Sequence, residues 1–277
     1  MEESKIRTYV RERYAGIARQ GGSCCDPGAT CGSGIPEAAG RKIGYTEEDL
    51  QSAPQGANLG LGCGNPIALA SLKEGETVLD LGSGAGFDCF LAAREVGQAG
   101  SVIGVDMTPE MIEKARENAE RGNYENVEFR LGEIENLPAA DDSVDAVISN
   151  CVINLSPNKG RVFQETFRVL KPGGRLLVSD IVLLKELPDT IKNSVEAYVG
   201  CLSGATVKEK YIGAIKAAGF QEIEIVDETG FPVELMANDP TAKAIIGNLG
   251  ASPEMMQEIA SSVVSIKVSA IKSDERT

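Results

Sequence analysis

Residues 78–106 constrain the fold of this chain more than any other stretch. They open as Val78-Leu79-Asp80-Leu81-Gly82-Ser83-Gly84-Ala85-Gly86-Phe87-Asp88 and close as Ser101-Val102-Ile103-Gly104-Val105-Asp106. Short apolar runs at 77–81 and 101–105 flank an amphipathic segment at 89–96, a switch of period that predicts strand, glycine turn, helix, strand. Gly82, Gly84 and Gly86 remove side chains where the turn must be tight and where a ligand must approach the backbone.

The neighbouring charges decide what that ligand is. A dinucleotide fingerprint is G-x-G-x-x-G with a pyrophosphate on the helix N-terminus, whereas this chain has G-x-G-x-G preceded by Asp80. A carboxylate there repels a pyrophosphate but pairs with the ammonium of an amino-acid moiety. Asp106 ends the second strand, where an acidic side chain accepts ribose hydroxyls. Together these positions fit S-adenosylmethionine better than NAD.

With 277 residues, the chain is long enough for one large core or a core with a small second domain. The net charge of −14 disfavours phosphate backbones, so nucleic acid is not expected as a partner. No apolar run is long enough to span a bilayer, and the first residues lack a signal-peptide core, so the expectation is a cytoplasmic protein without a membrane partner. Histidine is absent, which removes Ser-His-Asp and Cys-His catalysis and His-ligated zinc. Seven cysteines in a reducing compartment are read as ligands, catalysts or core residues rather than a disulfide framework.

Along the chain, residues 4–19 predict a helix with one apolar stripe. A loop carrying Cys24, Cys25 and Cys31 follows, and then a helix start with Thr46 as N-cap and Asp49 at its third position. Cys63 lies in the glycine loop Gly60-Leu61-Gly62-Cys63-Gly64-Asn65-Pro66. Asn65 is placed to cap a helix that Pro66 starts and that runs to Leu72. Strands are expected at 127–131, 145–150, 175–179, 223–226 and 263–271, and helices at 109–121, with Thr108 as cap, at 159–170 and at 207–218. The pattern loosens over 181–206, read as an insertion that carries Cys201, and 232–256 reads as a mostly helical excursion. Three regions result: 1–75, a helical and cysteine-bearing cover; 76–180, the cofactor-binding core; and 181–277, insertions with the last two strands. Alternating strands and helices predict a doubly wound α/β sheet with helices on both faces.

The motifs at 78–86, Asp106, 132–138 and 170–174 occur in an order and spacing that resembles the class I S-adenosylmethionine-dependent methyltransferases. That resemblance implies a Rossmann-like, seven-stranded, mostly parallel sheet whose last strand is antiparallel. It also implies that Asp80, Gly82 and Gly84 hold the methionine end, Asp106 the ribose, and Met107, Glu133 and Ile134 the adenine. Ser83 and Asn150 complete the expected cofactor contacts. Many relatives have Asp where Glu133 stands.

Ligands of open α/β sheets bind beyond the carboxyl ends of the strands. Cys151 directly follows the fourth strand, Cys63 precedes the first in a loop able to fold over the same edge, and Cys201 leaves from that edge. Three thiols at one mouth select a soft, thiophilic centre. Trivalent arsenic is such a centre, and its lone pair is itself the nucleophile, so no histidine base is needed. The stretches 59–66, 149–155 and 200–204 closely resemble those of arsenite methyltransferases, enzymes of arsenic detoxification and arsenical resistance. The resemblance implies As(III) held on Cys63, Cys151 and Cys201, presented as arsenite or methylarsenite thiol conjugates, with no metal cofactor. It also implies a disulfide between Cys63 and an N-terminal cysteine, reset by thioredoxin or glutathione. Cys25 is our choice for that partner, with Cys24 and Cys31 as competitors, and a monomer is expected. Competing readings are a small organic acceptor with incidental cysteines, a non-catalytic metalloid or zinc binder that keeps a methyltransferase scaffold, and a structural zinc site on Cys24, Cys25, Cys31 and Cys63, although no C-x-x-C pair is present. Cys89, among Phe87, Phe90 and Leu91, is expected to be an inert core residue, and the remaining acidic residues to be solvated surface.

Overall fold

A computed structural model describes residues 3–20, 35–187, 204–230 and 261–274. It contains a seven-stranded sheet in the order β3-β2-β1-β4-β5-β7-β6. The strands are β1 (Thr77–Leu81), β2 (Ser101–Asp106), β3 (Val127–Leu131), β4 (Val144–Asn150), β5 (Leu170–Leu183), β6 (Gln221–Gly230) and β7 (Val263–Ile271). Pairings from β3 through β5 are parallel, and β7 runs antiparallel to both β5 and β6. The central strands are apolar on both faces because helices cover both.

On one face pack α5 (Phe87–Val96) and α6 (Pro109–Gly122), with Phe90 wedged between Tyr124 and Phe129. On the other lie α7 (Lys159–Val169) and α8 (Lys208–Ala217), where Phe163 meets Tyr211 edge to face at 5.4 Å. The N-terminal helix α1 (Glu3–Gln20) is laid over the carboxyl edge of the sheet. Its Ile6 and Val10 join a buried cluster that contains Cys63, Cys151 and Leu155. Two short helices, α2 (Ile35–Lys42) and α3 (Glu47–Ser52), follow, and Thr46 and Asp49 close the expected capping box.

Three local expectations are corrected. The segment after Pro66 is a single turn, α4 (Ile67–Ala70), because Ser71 enters the left-handed region at φ 41°; Asn65 does cap it, accepting the Ala68 N–H at 3.1 Å. Thr108 makes no side-chain cap on α6; its own N–H is instead donated to Asp106 Oδ1 at 2.8 Å. Finally, β5 is much longer than 175–179. Its early part pairs Leu170 with Val144, and its far end pairs with β7 out to Leu183 against Val263. Asp180 therefore lies inside the strand, and the strand crosses the expected 180/181 boundary. The 232–256 excursion, and Cys24, Cys25, Cys31 and Cys201, lie outside the described residues.

The chain winds outward from β1 to β2 and β3, then returns to place β4 on the other side of β1. That reversal is the topological switch point at which doubly wound sheets open a ligand crevice. The carboxyl ends of β1 and β4 supply Asp80 on one side, and Asn150 and Cys151 on the other.

Candidate active site

A cavity of about 1130 Å³ opens at this switch point. Its lining includes Asp80, Gly82, Ser83, Gly84, Asp106, Met107, Ile134, Asn150 and Cys151 from the expected site, together with Arg7, Val10 and Tyr14 of α1. Two glycines show why the turn is built as it is. A Cβ on Gly82, at φ 68°, would sit 2.3 Å from Val152 Cγ2, whereas one on Gly84, at φ 52°, would meet nothing within 4 Å and project into open space. The backbone of Gly84 is thus the bare wall against which a ligand lies.

The electrostatics of the cavity select a cation. Asp80 is 2% exposed and accepts the Cys89 thiol at 3.2 Å. Burial, reinforced by the negative charge of Asp88, holds its carboxyl well above the usual range. Burial also raises Asp88, to about 6, against hydrogen bonds from Tyr45 and Asn150 that favour the ionised form. Asp106 is likewise raised by burial while accepting the Gly84 N–H at 3.0 Å and the Thr108 N–H at 2.8 Å. Three crowded carboxyls of this kind are relieved by a positively charged ligand. The donor set fits S-adenosylmethionine: carboxylates for its ammonium and ribose hydroxyls, a negative field for its sulfonium, and a buried Ser83 hydroxyl with no hydrogen-bond partner among the described residues.

Glu133 is not part of the lining. Arg7 and Arg11 of α1 draw it aside, at 3.5 and 3.8 Å, and the neighbouring Glu135 faces the cavity instead, accepting from Ser156 at 2.7 Å and Arg7 at 3.3 Å. Asn150 lines the cavity, but its amide is committed elsewhere. Its Oδ1 accepts the Cys63 N–H at 3.0 Å, and its Nδ2 donates to the Gly64 carbonyl at 2.8 Å, the Tyr45 hydroxyl at 2.9 Å and Asp88 at 3.1 Å. Cys89 is fully buried, as expected of a core residue, although its thiol is tied to Asp80. Burial pushes that thiol well up, so it stays protonated.

Beyond the cofactor end, the structure brings two of the expected thiols together. Cys63, Cys151 and Asp180 are all buried, and one ligand atom from each, two sulfurs and a carboxylate oxygen, lie within 4.8 Å of one another. Cys151 adopts φ 60°, a conformation that costs a non-glycine residue about 1–3 kcal/mol, with its N–H held by the Ser179 carbonyl at 2.8 Å. Cys63 is pinned by Asn150 and by Ser265, which donates to its carbonyl at 3.0 Å. The glycines around it allow this closeness, since a Cβ on Gly64 would overlap Ser179 Oγ at 1.8 Å.

Two buried polar networks were not anticipated, and the expectation that the other acidic residues are solvated is overturned by Asp88, Asp180 and Glu165, all buried. Asp180 accepts from Asn154 at 2.8 Å, the Ile181 N–H at 2.9 Å and the Tyr211 hydroxyl at 2.9 Å. Its signal was present: a carboxylate set between Leu176-Leu177-Val178 and Ile181-Val182-Leu183 belongs to a strand buried on both faces.

Fold and crevice together define a methyltransferase, and the family model described as a methyltransferase domain matches residues 72–229. The arsenite methyltransferase of Halobacterium salinarum is 52% identical over 232 residues, covering 81% of this chain and 59% of its own length. The human arsenite methyltransferase is 39% identical over 57% of this chain and 44% of its own. A solved arsenic (III) S-adenosylmethionine methyltransferase from Chlamydomonas reinhardtii superposes with a TM-score of 0.63 at 32% identity, covering 85% of this chain and 73% of that one. The chain belongs to the arsenic(III) S-adenosylmethionine methyltransferase family. It spans roughly half the length of the curated relatives it matches.

Proposed function

We propose that this protein transfers methyl groups from S-adenosylmethionine to trivalent arsenic bound on its thiols, accepting arsenite and methylarsenite in a detoxifying reaction. One observation carries the reading: Cys151 lines the cofactor cavity and at the same time lies in the buried cluster with Cys63. A group held by those two sulfurs is therefore next to the cofactor.

S-adenosylmethionine, when bound, supplies an electrophilic methyl group. Asp80 would receive its ammonium, Asp106 its ribose hydroxyls, and Met107 and Ile134 its adenine, while α1 closes the cavity from above. Cys63 and Cys151 fix the arsenic, with Cys201 as the third sulfur, so that the arsenic lone pair faces the methyl carbon. The lone pair would form the As–C bond as the C–S bond of the sulfonium breaks, so that no side chain has to remove a proton. Holding both groups in line is worth up to about 7–11 kcal/mol of the barrier. The two electrons that return arsenic to the trivalent state come from Cys63 and an N-terminal thiol, Cys25 in our assignment, which become a disulfide. Thioredoxin or glutathione then reduces it, and the enzyme works as a cytoplasmic monomer without a metal cofactor.

The test is to incubate the reduced protein with arsenite, S-adenosylmethionine and a thiol and to speciate the arsenic. Methylated arsenic is expected from the wild type and none from Cys151→Ser. Full activity in that variant would reject the thiol site, and S-adenosylmethionine binding without methylated arsenic would reject the acceptor.

A further inference from the structure

Arsenic does not account for everything at the thiol site. A pyramidal As(III) centre takes three sulfurs, yet the third ligand atom standing with Cys63 and Cys151 among the described residues is a carboxylate oxygen. Asp180 is wholly buried and its orientation is fixed on three sides, by Asn154 Nδ2 and the Ile181 N–H on Oδ1 and by the Tyr211 hydroxyl on Oδ2. Oxygen ligands of metal ions are held in this way, with outer hydrogen bonds aiming the carboxylate. Cys63 and Cys151 are positioned with similar care, through Asn150 and Ser179.

We infer that Cys63, Cys151 and Asp180 form a binding site for a divalent thiophilic cation, Zn²⁺ or Cd²⁺, which competes with arsenic for the two thiols. Two thiolates and one carboxylate are a donor set that such ions accept, the fourth position being left to water. Bonds of about 2.3 Å to sulfur and about 2.0–2.2 Å to oxygen place tetrahedral ligand atoms roughly 3.3–3.8 Å apart. The observed spread of at most 4.8 Å closes to that distance with a shift of about an ångström, within reach of one cysteine side-chain rotation. The ion bears no lone pair, so it occupies the thiols without offering a nucleophile. Bound there, Zn²⁺ is an inhibitor competitive with arsenite and not with S-adenosylmethionine.

The site shares its sulfurs with the proposed arsenic site, and the test separates the two. The reduced chain, with Cys24, Cys25 and Cys31 replaced by serine, is titrated with Cd²⁺ against a chelator, following the ultraviolet thiolate-to-cadmium band. One ion per chain is expected. Asp180→Asn should weaken it about tenfold or more, at least the loss seen when a residue that only supports a metal ligand is removed. Cys63→Ser and Cys151→Ser should abolish the band, and Cys201→Ser should leave the affinity within about threefold while abolishing arsenic methylation. Unchanged affinity in Asp180→Asn, or a loss in Cys201→Ser as large as in Cys151→Ser, overturns the inference. Should Asp180→Asn not fold, the ¹¹³Cd resonance of the protein with Asp180 intact decides: a two-thiolate environment supports the site and a three- or four-thiolate environment refutes it. Cadmium binding is read whether or not the protein methylates arsenic, so failure of one reading leaves the other standing.

Discussion

Replacing Asn150 with alanine separates two roles for one side chain. As a cofactor contact, Asn150 should affect S-adenosylmethionine affinity alone. The structure instead makes it a clamp that fixes the residue 60–64 loop, through Cys63 and Gly64, to Tyr45 and Asp88. Truncation leaves the Cys63 N–H and Gly64 carbonyl without this partner, at about 1–3 kcal/mol for each group that stays buried. The sum, roughly 2–6 kcal/mol, corresponds to a fall in melting temperature of roughly 4–24 °C for a chain of this size. Because the freed loop carries Cys63, the two-thiol chelation of a trivalent arsenical should weaken by more than tenfold, while S-adenosylmethionine affinity changes by about threefold or less. Thermal melting, thiol titration in the presence of phenylarsine oxide and calorimetric cofactor binding measure the three quantities. A variant that melts like the wild type and chelates arsenic normally, but has lost cofactor affinity, would refute the clamp.

The other predictions concern the cofactor end. Gly84→Ala forces a side chain onto φ 52° and into the open cavity, so the KM for S-adenosylmethionine should rise by about tenfold or more, with arsenic chelation unaffected. Glu133→Gln should change that KM less than about threefold, because Glu133 pairs with Arg7 and Arg11 rather than lining the cavity; steady-state kinetics settles it. The Asp88 carboxyl, raised to about 6 by burial, binds its proton more tightly in the folded chain than in the unfolded one. Its contribution to stability is therefore largest near pH 4 and is lost as pH rises through about 6, by up to about 3 kcal/mol. Asp88→Asn should remove that decline from denaturant-derived stability profiles, and it should flatten the loss of S-adenosylmethionine affinity that protonation causes as pH falls through about 6.

The parts of the fold that follow from periodicity were legible in the sequence. The last strand at 263–271 and the strand at 127–131 stand at the expected residues, since their apolar runs are bounded by polar turns. β5 was not, because Lys171-Pro172-Gly173-Gly174 reads locally as a turn while its partners on β4 and β7 draw both flanks into one strand. Pairing across the sheet outweighs local preference, and a single chain does not display it. The same division holds at the site. Asp80 and Asp106 stand beside a glycine turn and could be singled out from the sequence, whereas the partners of Asp88 and Asp180, namely Tyr45, Asn150, Asn154 and Tyr211, come together only in the fold. Glu133 was expected at the adenine, and its pairing with Arg7 and Arg11 could not be read locally because they are more than a hundred residues away in sequence.

The register of β4 explains how one edge can serve both of the proposed binding sites. Leu81 of β1 pairs with Ser149, and Asn150 pairs with Ser179 of β5, so the end of β4 lies between the strand that carries Asp80 and the strand that carries Asp180. At the next residue the backbone turns left-handed, and the Cys151 side chain reaches the cofactor cavity and the Cys63–Asp180 cluster together. In the proposed reaction the distance between methyl donor and thiol-held acceptor would be set by strand pairing in the most buried part of the sheet, with strain at one residue as its cost. Cys63 reaches the cluster from a loop. An arrangement of this kind lets a loop cysteine move or oxidise between turnovers while the donor and the Cys151 sulfur keep their separation.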